Sequence, residues 1–259
     1  MEYNEILGIP PYDLDKIQKR ELLTKRIRDL TLHHIEHCQE YRKMMDSVAF
    51  DIEKTQSYYD FPFLPVRLFK ELNLKSIPQE KLFKTMTSSG TSGQEVSKIF
   101  LDRDTANNQQ KTMVKIVSSF TGSGRMPMLI IDCPSVVKNR TMFSARGAGI
   151  LGFSIFGTDK TYALNDEMQL DVEAVNAFLE KHKGKRILLF GFTFMIWQHF
   201  YKELVRLKKD GIRFDLSNGI LIHGGGWKKL VNEAVSSEDF QNGLKDVCGL
   251  SSIHDYYGM

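Results

Sequence analysis

No apolar run in the sequence approaches the roughly 20 residues needed to span a bilayer. The opening stretch MEYNEILGIPPYDLD is acidic early and lacks the apolar centre of a signal peptide. No membrane span is therefore expected, and a cytoplasmic location is. Cysteine is scarce: Cys38, Cys133 and Cys248 are the only three in 259 residues, far apart and with no CxxC spacing. Such a sparse, odd set excludes a disulfide framework and reads as reduced, packed thiols. Charge of one sign is also missing. Lys and Arg number 35 against 32 Asp and Glu, a net charge of +3. With no basic stripe interleaved with aromatics, there is no nucleic-acid footprint. Internal repeats and low-complexity tracts are absent as well. A composition of 42% hydrophobic and 26% charged residues is ordinary for a globular protein. The length suffices for one large α/β domain or two modest ones.

Pro10 and Pro11 close an N-terminal arm expected to be irregular. Over residues 14–45, Leu23, Ile27, Leu30 and His34 recur at three-to-four spacing, with Lys25, Arg26, Arg28 and Asp29 on the other faces. That spacing predicts one long helix, broken at most once. Residues 58–68 hold two prolines among aromatics and predict an extended connector. Short strands are expected at 82–86 and 98–101, as a hairpin. A helix follows over 104–120, with Met113, Ile116, Val117 and Phe120 on its apolar face. After the Gly122-Ser123-Gly124 turn, MLIID has the length of a buried strand. Residues 146–155 predict a helix end leading to another strand. The pattern then gives a helix over 172–181, the strand RILLFGF from Arg186, a helix over 193–208 and the strand NGILIH over 218–223. From about residue 100 onward helices thus alternate with apolar strands. This predicts an α/β fold with mainly parallel sheets covered by helices, its ligand loops at the carboxyl ends of the strands.

The stretch richest in chemistry is TSSGTSGQEVSK, residues 87–98, with Val96 as its one large apolar side chain. Hydroxyls and free backbone N–H groups on a glycine-loosened loop suit a polyphosphate or acyl phosphate. It is not a Walker A loop or a GxGxxG fingerprint, and no GxSxG elbow occurs in the chain. Composition alone leaves a plain surface loop and a phosphate cradle both open. The residue order says more. Ser88-Ser89-Gly90-Thr91-Ser92-Gly93 resembles the [ST]SG[ST][ST]G signature of adenylate-forming enzymes, which include acyl-CoA synthetases, luciferases and related carboxylate ligases. In that family the loop closes over the β- and γ-phosphates of ATP while the substrate carboxylate attacks the α-phosphate. The family pattern continues with a proline and a lysine; Glu95 and Val96 stand there in this chain, and the nearest lysine is Lys98.

Two later stretches fall in the same family order. Gly224-Gly225-Gly226 follows an apolar strand and is similar to the family's Gly-Gly-small turn, whose backbone borders adenine. Asp255-Tyr256-Tyr257-Gly258-Met259 resembles the start of the YGxTE motif, which implies adenine contacts for Tyr257 and Gly258. The Thr and Glu of that motif serve phosphate and Mg²⁺, and the sequence stops before them. The segment Phe63-Leu64-Pro65-Val66-Arg67-Leu68-Phe69-Lys70, the GQEVSKI continuation and the turn from His223 to Lys228 resemble the acyl-protein synthetase branch, known from the LuxE component of bacterial bioluminescence. Gly191-Phe192-Thr193 is similar to the substrate-pocket turn of the wider family.

The resemblance spans roughly residues 60–259. It implies ATP-dependent activation of a carboxylic, expectedly fatty, acid to an acyl-adenylate, with ATP and Mg²⁺ as cofactors. The acyl group would pass to a protein thiol, and the implied partners are an acyl-acceptor protein or a reductase. Phosphate contacts fall to Ser88, Ser89, Gly90, Thr91, Ser92, Gly93 and Lys98. Adenine contacts fall to Gly224, Gly225, Gly226, Tyr257 and Gly258, and an acyl pocket to Phe192, His223 and Trp227. The implied fold is the large N-terminal domain of adenylate-forming enzymes without the small C-terminal domain. Residues 1–60 are expected as a helical segment packed on an incomplete domain over 61–259. Catalytic residues and the acylated cysteine are expected beyond Met259, so the chain is expected not to complete the reaction alone. Two other readings compete. One is a non-catalytic nucleotide- or acyl-binding module. The other is a zinc protein built on His33, Glu36 and His37, which fit H-x-x-E-H on one helix face. A polar helix face is the blander account of those histidines, and no metal site is expected. His199 reads as a core or pocket-lining residue, His254 as a possible nucleotide neighbour, and Arg146 as a surface arginine unless it meets a phosphate or carboxylate.

Overall fold

The computed structural model describes residues 3–87, 96–137 and 145–257. The chain divides into two compact units, residues 1–122 and 123–259.

The first unit is mainly helical. Residues expected to form an irregular arm make a short helix, α1 (Tyr3–Gly8). The Tyr3 hydroxyl donates to the Asn108 carbonyl at 3.0 Å and pairs with the Thr112 hydroxyl, which docks this turn onto a later helix. The long predicted helix is present with its one break, as α2 (Lys16–His37) and α3 (Gln39–Ser47). Asp15 opens α2 with a capping box: its carboxylate accepts from the N–H groups of Ile17 and Gln18, and Gln18 Oε1 accepts from the Asp15 N–H. The break falls at buried Cys38, whose backbone is extended at φ −131° and ψ 108°. The connector over 58–68 begins with a 3₁₀ turn, Tyr58–Asp60, and leads into one helical turn, α4 (Leu68–Glu71). Next, β1 (Lys84–Thr87) pairs antiparallel with β2 (Lys98–Leu101), from Lys84↔Leu101 to Thr87↔Lys98. The hairpin is as predicted. The loop it carries, with Ser88, Ser89, Gly90, Thr91, Ser92 and Gly93, lies outside the described residues. α5 (Arg103–Thr121) closes the unit, capped by Asp102, which accepts the Thr105 N–H at 2.7 Å.

The second unit carries the large sheet. Its elements are β3 (Met126–Ile131), α6 (Ala145–Phe153), β4 (Gly157–Tyr162), α7 (Val172–Lys181) and β5 (Ile187–Phe192), then α8 (Thr193–Met195), a π-helical segment Ile196–Tyr201, α9 (Lys202–Lys209), β6 (Gly219–Gly224), α10 (Ser237–Cys248) and β7 (Ser252–Tyr256). The five strands are all parallel, in the order β4-β3-β5-β6-β7. β3, β5 and β6 are buried almost throughout, which is why they read as unbroken apolar runs. One face carries Leu129, Ile131, Leu189 and Leu221 into a core completed by Val175, Phe200, Leu204, Phe240 and Leu244 of the helical layer. On the other face Phe190 stacks on Phe153 of α6, with ring centroids 4.3 Å apart.

The strand order also fixes where a ligand crevice can open. From β3 the chain crosses to β4 on one side; β5, β6 and β7 then lie on the other. The topological switch point is therefore between β3 and β5. In such sheets the crevice lies outside the carboxyl ends of those two strands.

Candidate functional site

The predicted residues at the carboxyl edge of the sheet sit at the ends of β5, β6 and β7. Register pairs Gly191 with His223, Phe192 with Gly224, His223 with Asp255 and Gly224 with Tyr256. Because strand side chains alternate, Phe192 and His223 point to opposite faces.

The glycine turn after β6 is sterically required. A Cβ on Gly224 would stand 2.6 Å from the Tyr256 carbonyl oxygen, and Gly225 has φ +77°. The Phe192 ring is wedged between two further glycines: a Cβ would lie 2.8 Å from it at Gly149 and 3.1 Å at Gly225. The ring therefore joins α6 to the turn. On the opposite face Thr193 ties β5 to β6, with its hydroxyl 3.0 Å from His223 Nδ1 and 3.3 Å from the Gly224 carbonyl. A hydroxyl has one proton and the carbonyl only accepts, so His223 presents Nδ1–H to the threonine oxygen. His223 is only 5% exposed. Burial holds its pKa below the ordinary imidazole value, opposed by Asp255, whose carboxylate lies 3.8 Å away.

The residues expected to form one acyl pocket are not on one wall. Phe192 faces α6, whereas His223 packs on Phe240 at 4.8 Å and Trp227 meets Trp197 at 5.6 Å and Phe240 at 6.4 Å, in the layer of α9 and α10. The residues expected at adenine lie along the edge. Gly224, Gly225 and Gly226 form the turn, Tyr256 sets its ring against Phe153 at 4.9 Å, and Tyr257, just past β7, is 85% exposed. Gly258 lies outside the described residues. Lys98 belongs to the first unit, exposed at the start of β2.

Sequence reading missed a pair at the switch point. Asp132 follows β3 directly and is fully buried, 0% exposed, with Arg146 Nε 3.0 Å from its Oδ2. The N–H is not aimed at that oxygen, so the contact is a charge pair rather than a formed hydrogen bond. Oδ1 accepts the Cys133 N–H at 2.8 Å. Burial raises the Asp132 pKa, with Cys133 and Arg146 pulling the other way. Arg146 also donates from Nη1 to the Met195 sulfur at 3.4 Å. It is thus no free surface arginine but a bridge from α6 to the ends of β3 and β5. Its signal in sequence was slight: an aspartate ending an apolar run, and an arginine at the start of a glycine-rich helix. His199 lies nearby, its pKa lowered by burial and raised again by its bond to the Met168 backbone. His254 bonds Ser252 Oγ at 3.1 Å, and burial lowers its pKa.

Away from this edge, His33 and His37 stack at 4.4 Å, and His37 Nδ1 lies 2.9 Å from the His33 carbonyl. His34 Nδ1 is 2.7 Å from Ser76 Oγ. Among the described residues no group of three His, Cys, Asp or Glu side chains is placed to hold a metal. Cys38, Cys133 and Cys248 are free and buried, and burial pushes the Cys248 thiol up to about 11. Among the described residues no helix is long and apolar enough to cross a membrane.

The sequence pattern of the family "Acyl-protein synthetase, LuxE" matches residues 3–259. The chain belongs to the LuxE acyl-protein synthetase family. Among curated relatives, the long-chain-fatty-acid–luciferin-component ligase of Aliivibrio fischeri is 23% identical over 242 residues, which is 92% of this chain and 61% of that protein. The Vibrio harveyi ligase of the same name is 22% identical over 240 residues, 91% of this chain and 61% of that protein. The Photorhabdus luminescens one is 32% identical over 76 residues, 29% of this chain and 65% of that protein. The chain thus spans about three fifths of the length of the first two relatives. In fold it is similar to a 2-hydroxyisobutyryl-CoA ligase crystallised with 2-HIB-AMP and CoA, with a TM-score of 0.62 at 11% identity, covering all of this chain and 54% of that one. The LuxE chain therefore has the fold of an adenylate-forming ligase: a parallel sheet flanked by helices, as expected.

Proposed function

We propose that this LuxE-family chain binds ATP and a long-chain carboxylic acid and takes part in forming the acyl-adenylate, for later transfer to a protein thiol. The observation that carries the reading is the turn at Gly224 and Gly225. There a strand end, held without room for a Cβ beside the Tyr256 carbonyl, offers flat backbone next to exposed Tyr257. Such a surface fits the face of a purine. Gly224, Gly225, Gly226, Tyr257 and Gly258 would frame the adenine. Ser88, Ser89, Gly90, Thr91, Ser92, Gly93 and Lys98 would hold the phosphates, with Mg²⁺ arriving on the nucleotide. ATP supplies the α-phosphorus and a pyrophosphate leaving group; the chain's own contribution is positioning and charge stabilisation. Phe192 would border the acid on the α6 side, while His223 and Trp227 support the turn from the opposite layer. An acyl-acceptor protein or reductase is the proposed partner.

A second reading is binding without turnover. ATP–pyrophosphate exchange with fatty acids of graded length, alongside direct nucleotide binding, separates the two. Exchange supports the ligase step. Binding of both ligands without exchange supports the second reading, and binding of neither sinks both.

A further inference from the structure

The Asp132–Arg146 pair has no part in the assignments above, yet it occupies the most favoured ligand position in the sheet. Asp132 directly follows β3, and Met195, which Arg146 also touches, lies just after β5. These are the two strands that flank the switch point. We infer that Arg146, positioned by Asp132, receives the carboxylate of the acid to be activated, with the hydrocarbon chain lying against the apolar side chains beside it. The inference rests on the ligase reading and deepens it.

Three observations carry it. First, the anchor is fixed and the cation is not closed off. Asp132 is wholly buried and pinned through Oδ1 by the Cys133 N–H, while the Arg146 side chain is 27% exposed. Second, among the described residues the guanidinium is only partly used. Nε faces a carboxylate oxygen without alignment, and Nη1 donates to a thioether, which is a weak acceptor. An arriving carboxylate would replace the sulfur with a charge-assisted bond, and the planar fork favours two such bonds at once. Third, the surroundings select the ligand. Met195 forms a buried apolar cluster with Cys133 and Leu164, and Phe192 and Val136 pack on it. Met195, Cys133 and Leu164 are themselves packed shut, so the apolar surface left to a chain is that of half-buried Phe192 and Val136. One cation beside such a surface suits an amphiphilic carboxylate better than a polyphosphate, which needs several donors.

The purely structural account is that the pair only fastens α6 to β3. It predicts that substitutions change stability without changing ligand preference.

The test compares dodecanoate with 1-dodecanol, which share a chain and differ in head-group charge. Binding is measured by calorimetry at pH 7.5 on the purified chain, with ATP binding measured in parallel. The wild type should prefer the acid. Arg146→Gln should weaken dodecanoate by at least about tenfold, the usual worth of a charged hydrogen bond, while dodecanol and ATP stay within about twofold. Arg146→Lys keeps the charge without the fork and should recover part of the preference; its acid-to-alcohol ratio decides the matter if the glutamine variant does not fold. Asp132→Asn should also reduce the ratio, by a smaller factor, with ATP binding unchanged. If Arg146→Gln keeps the acid preference, the inference falls while the ligase reading stands. If it loses ATP and keeps the acid, Arg146 serves phosphate and the inference is overturned. If the wild type binds neither dodecanoate nor dodecanol, the fatty-acid reading itself fails and takes the inference with it.

Discussion

Gly224 shows how little room one residue can leave. Its missing Cβ is replaced by the Tyr256 carbonyl oxygen, 2.6 Å from where a methyl would sit, so a side chain must push two hydrogen-bonded strand ends apart. Gly224→Ala is therefore expected to lose about 1–3 kcal/mol of stability, the usual range for overpacking, and to weaken nucleotide binding as the turn shifts. A urea titration read beside nucleotide binding checks both, and an unchanged midpoint would contradict the steric argument. Thr193 works by a different force. Its hydroxyl joins the buried Nδ1 of His223 to the Gly224 carbonyl. Thr193→Val keeps the shape but leaves both groups without that partner, and should cost about 1–3 kcal/mol. Thr193→Ser retains the hydroxyl and should recover most of the loss in the same titration; equal losses in both variants would point to packing instead.

At the scale of elements, helix ends offer the cleanest measurement. Asp102 caps α5, accepting the Thr105 N–H and pairing with the Thr105 side chain as well. Asp102→Ala should cost about 0.5–2 kcal/mol; Asp102→Ser should recover most of it, since serine caps nearly as well. What the sequence disclosed follows the same physics. β3, β5 and β6 were legible because both faces are covered and, His223 apart, every residue is apolar. α7 matched its predicted bounds, Val172–Lys181. β7 was missed as a strand because SIHDY lies at the sheet edge, only partly buried, with no apolar run to announce it. α10 also went unread, although Ser236 caps it and Phe240, Leu244 and Val247 give it a buried face. The π-helical turn Ile196–Tyr201 was hidden inside a stretch that reads as one helix, because a single wider turn barely disturbs the apolar period. The glycine turn could be found from residue order. The opposite facing of Phe192 and His223 could not, since it depends on the register between β5 and β6. Arg146 could be singled out as a candidate for a carboxylate, but its pairing with Asp132 could not, because partners 14 positions apart meet only through the β3–α6 connection.

At the scale of the whole molecule, burial is uneven. Among the described residues of the first unit, Cys38, Met45, Phe61, Leu101 and Val117 are the buried apolar side chains, whereas the second unit buries three strands almost throughout and the helices covering one face. Amide hydrogen exchange should therefore be slowest in β3, β5 and β6 and much faster through α2 and α3, as expected where local opening exposes few apolar contacts. Uniform protection across both units would refute this. The histidines make stability depend on pH. His34, His199, His223 and His254 all have pKa values below the ordinary 6.5, each with burial as the first cause. The folded chain then binds fewer protons than the unfolded chain near pH 6, so stability must rise with pH there. The sign follows directly: this contribution is fully present above 6.5 and is lost as pH falls through that value toward the lower folded values. The limiting slope is about 1.4 kcal/mol per pH unit for each proton taken up on unfolding. Asp132 acts in the opposite sense, because its raised pKa makes protonation favour the folded state as the solution turns acid. Four imidazoles outnumber one carboxyl, so the thermal midpoint should fall between pH 7.5 and 5.5. His34→Gln should make that fall shallower, because three influences act on His34 in the same direction: its own burial and the neighbouring charges of His33 and His37. A midpoint that stays level or rises on acidification would show that these histidines are not held neutral in the fold.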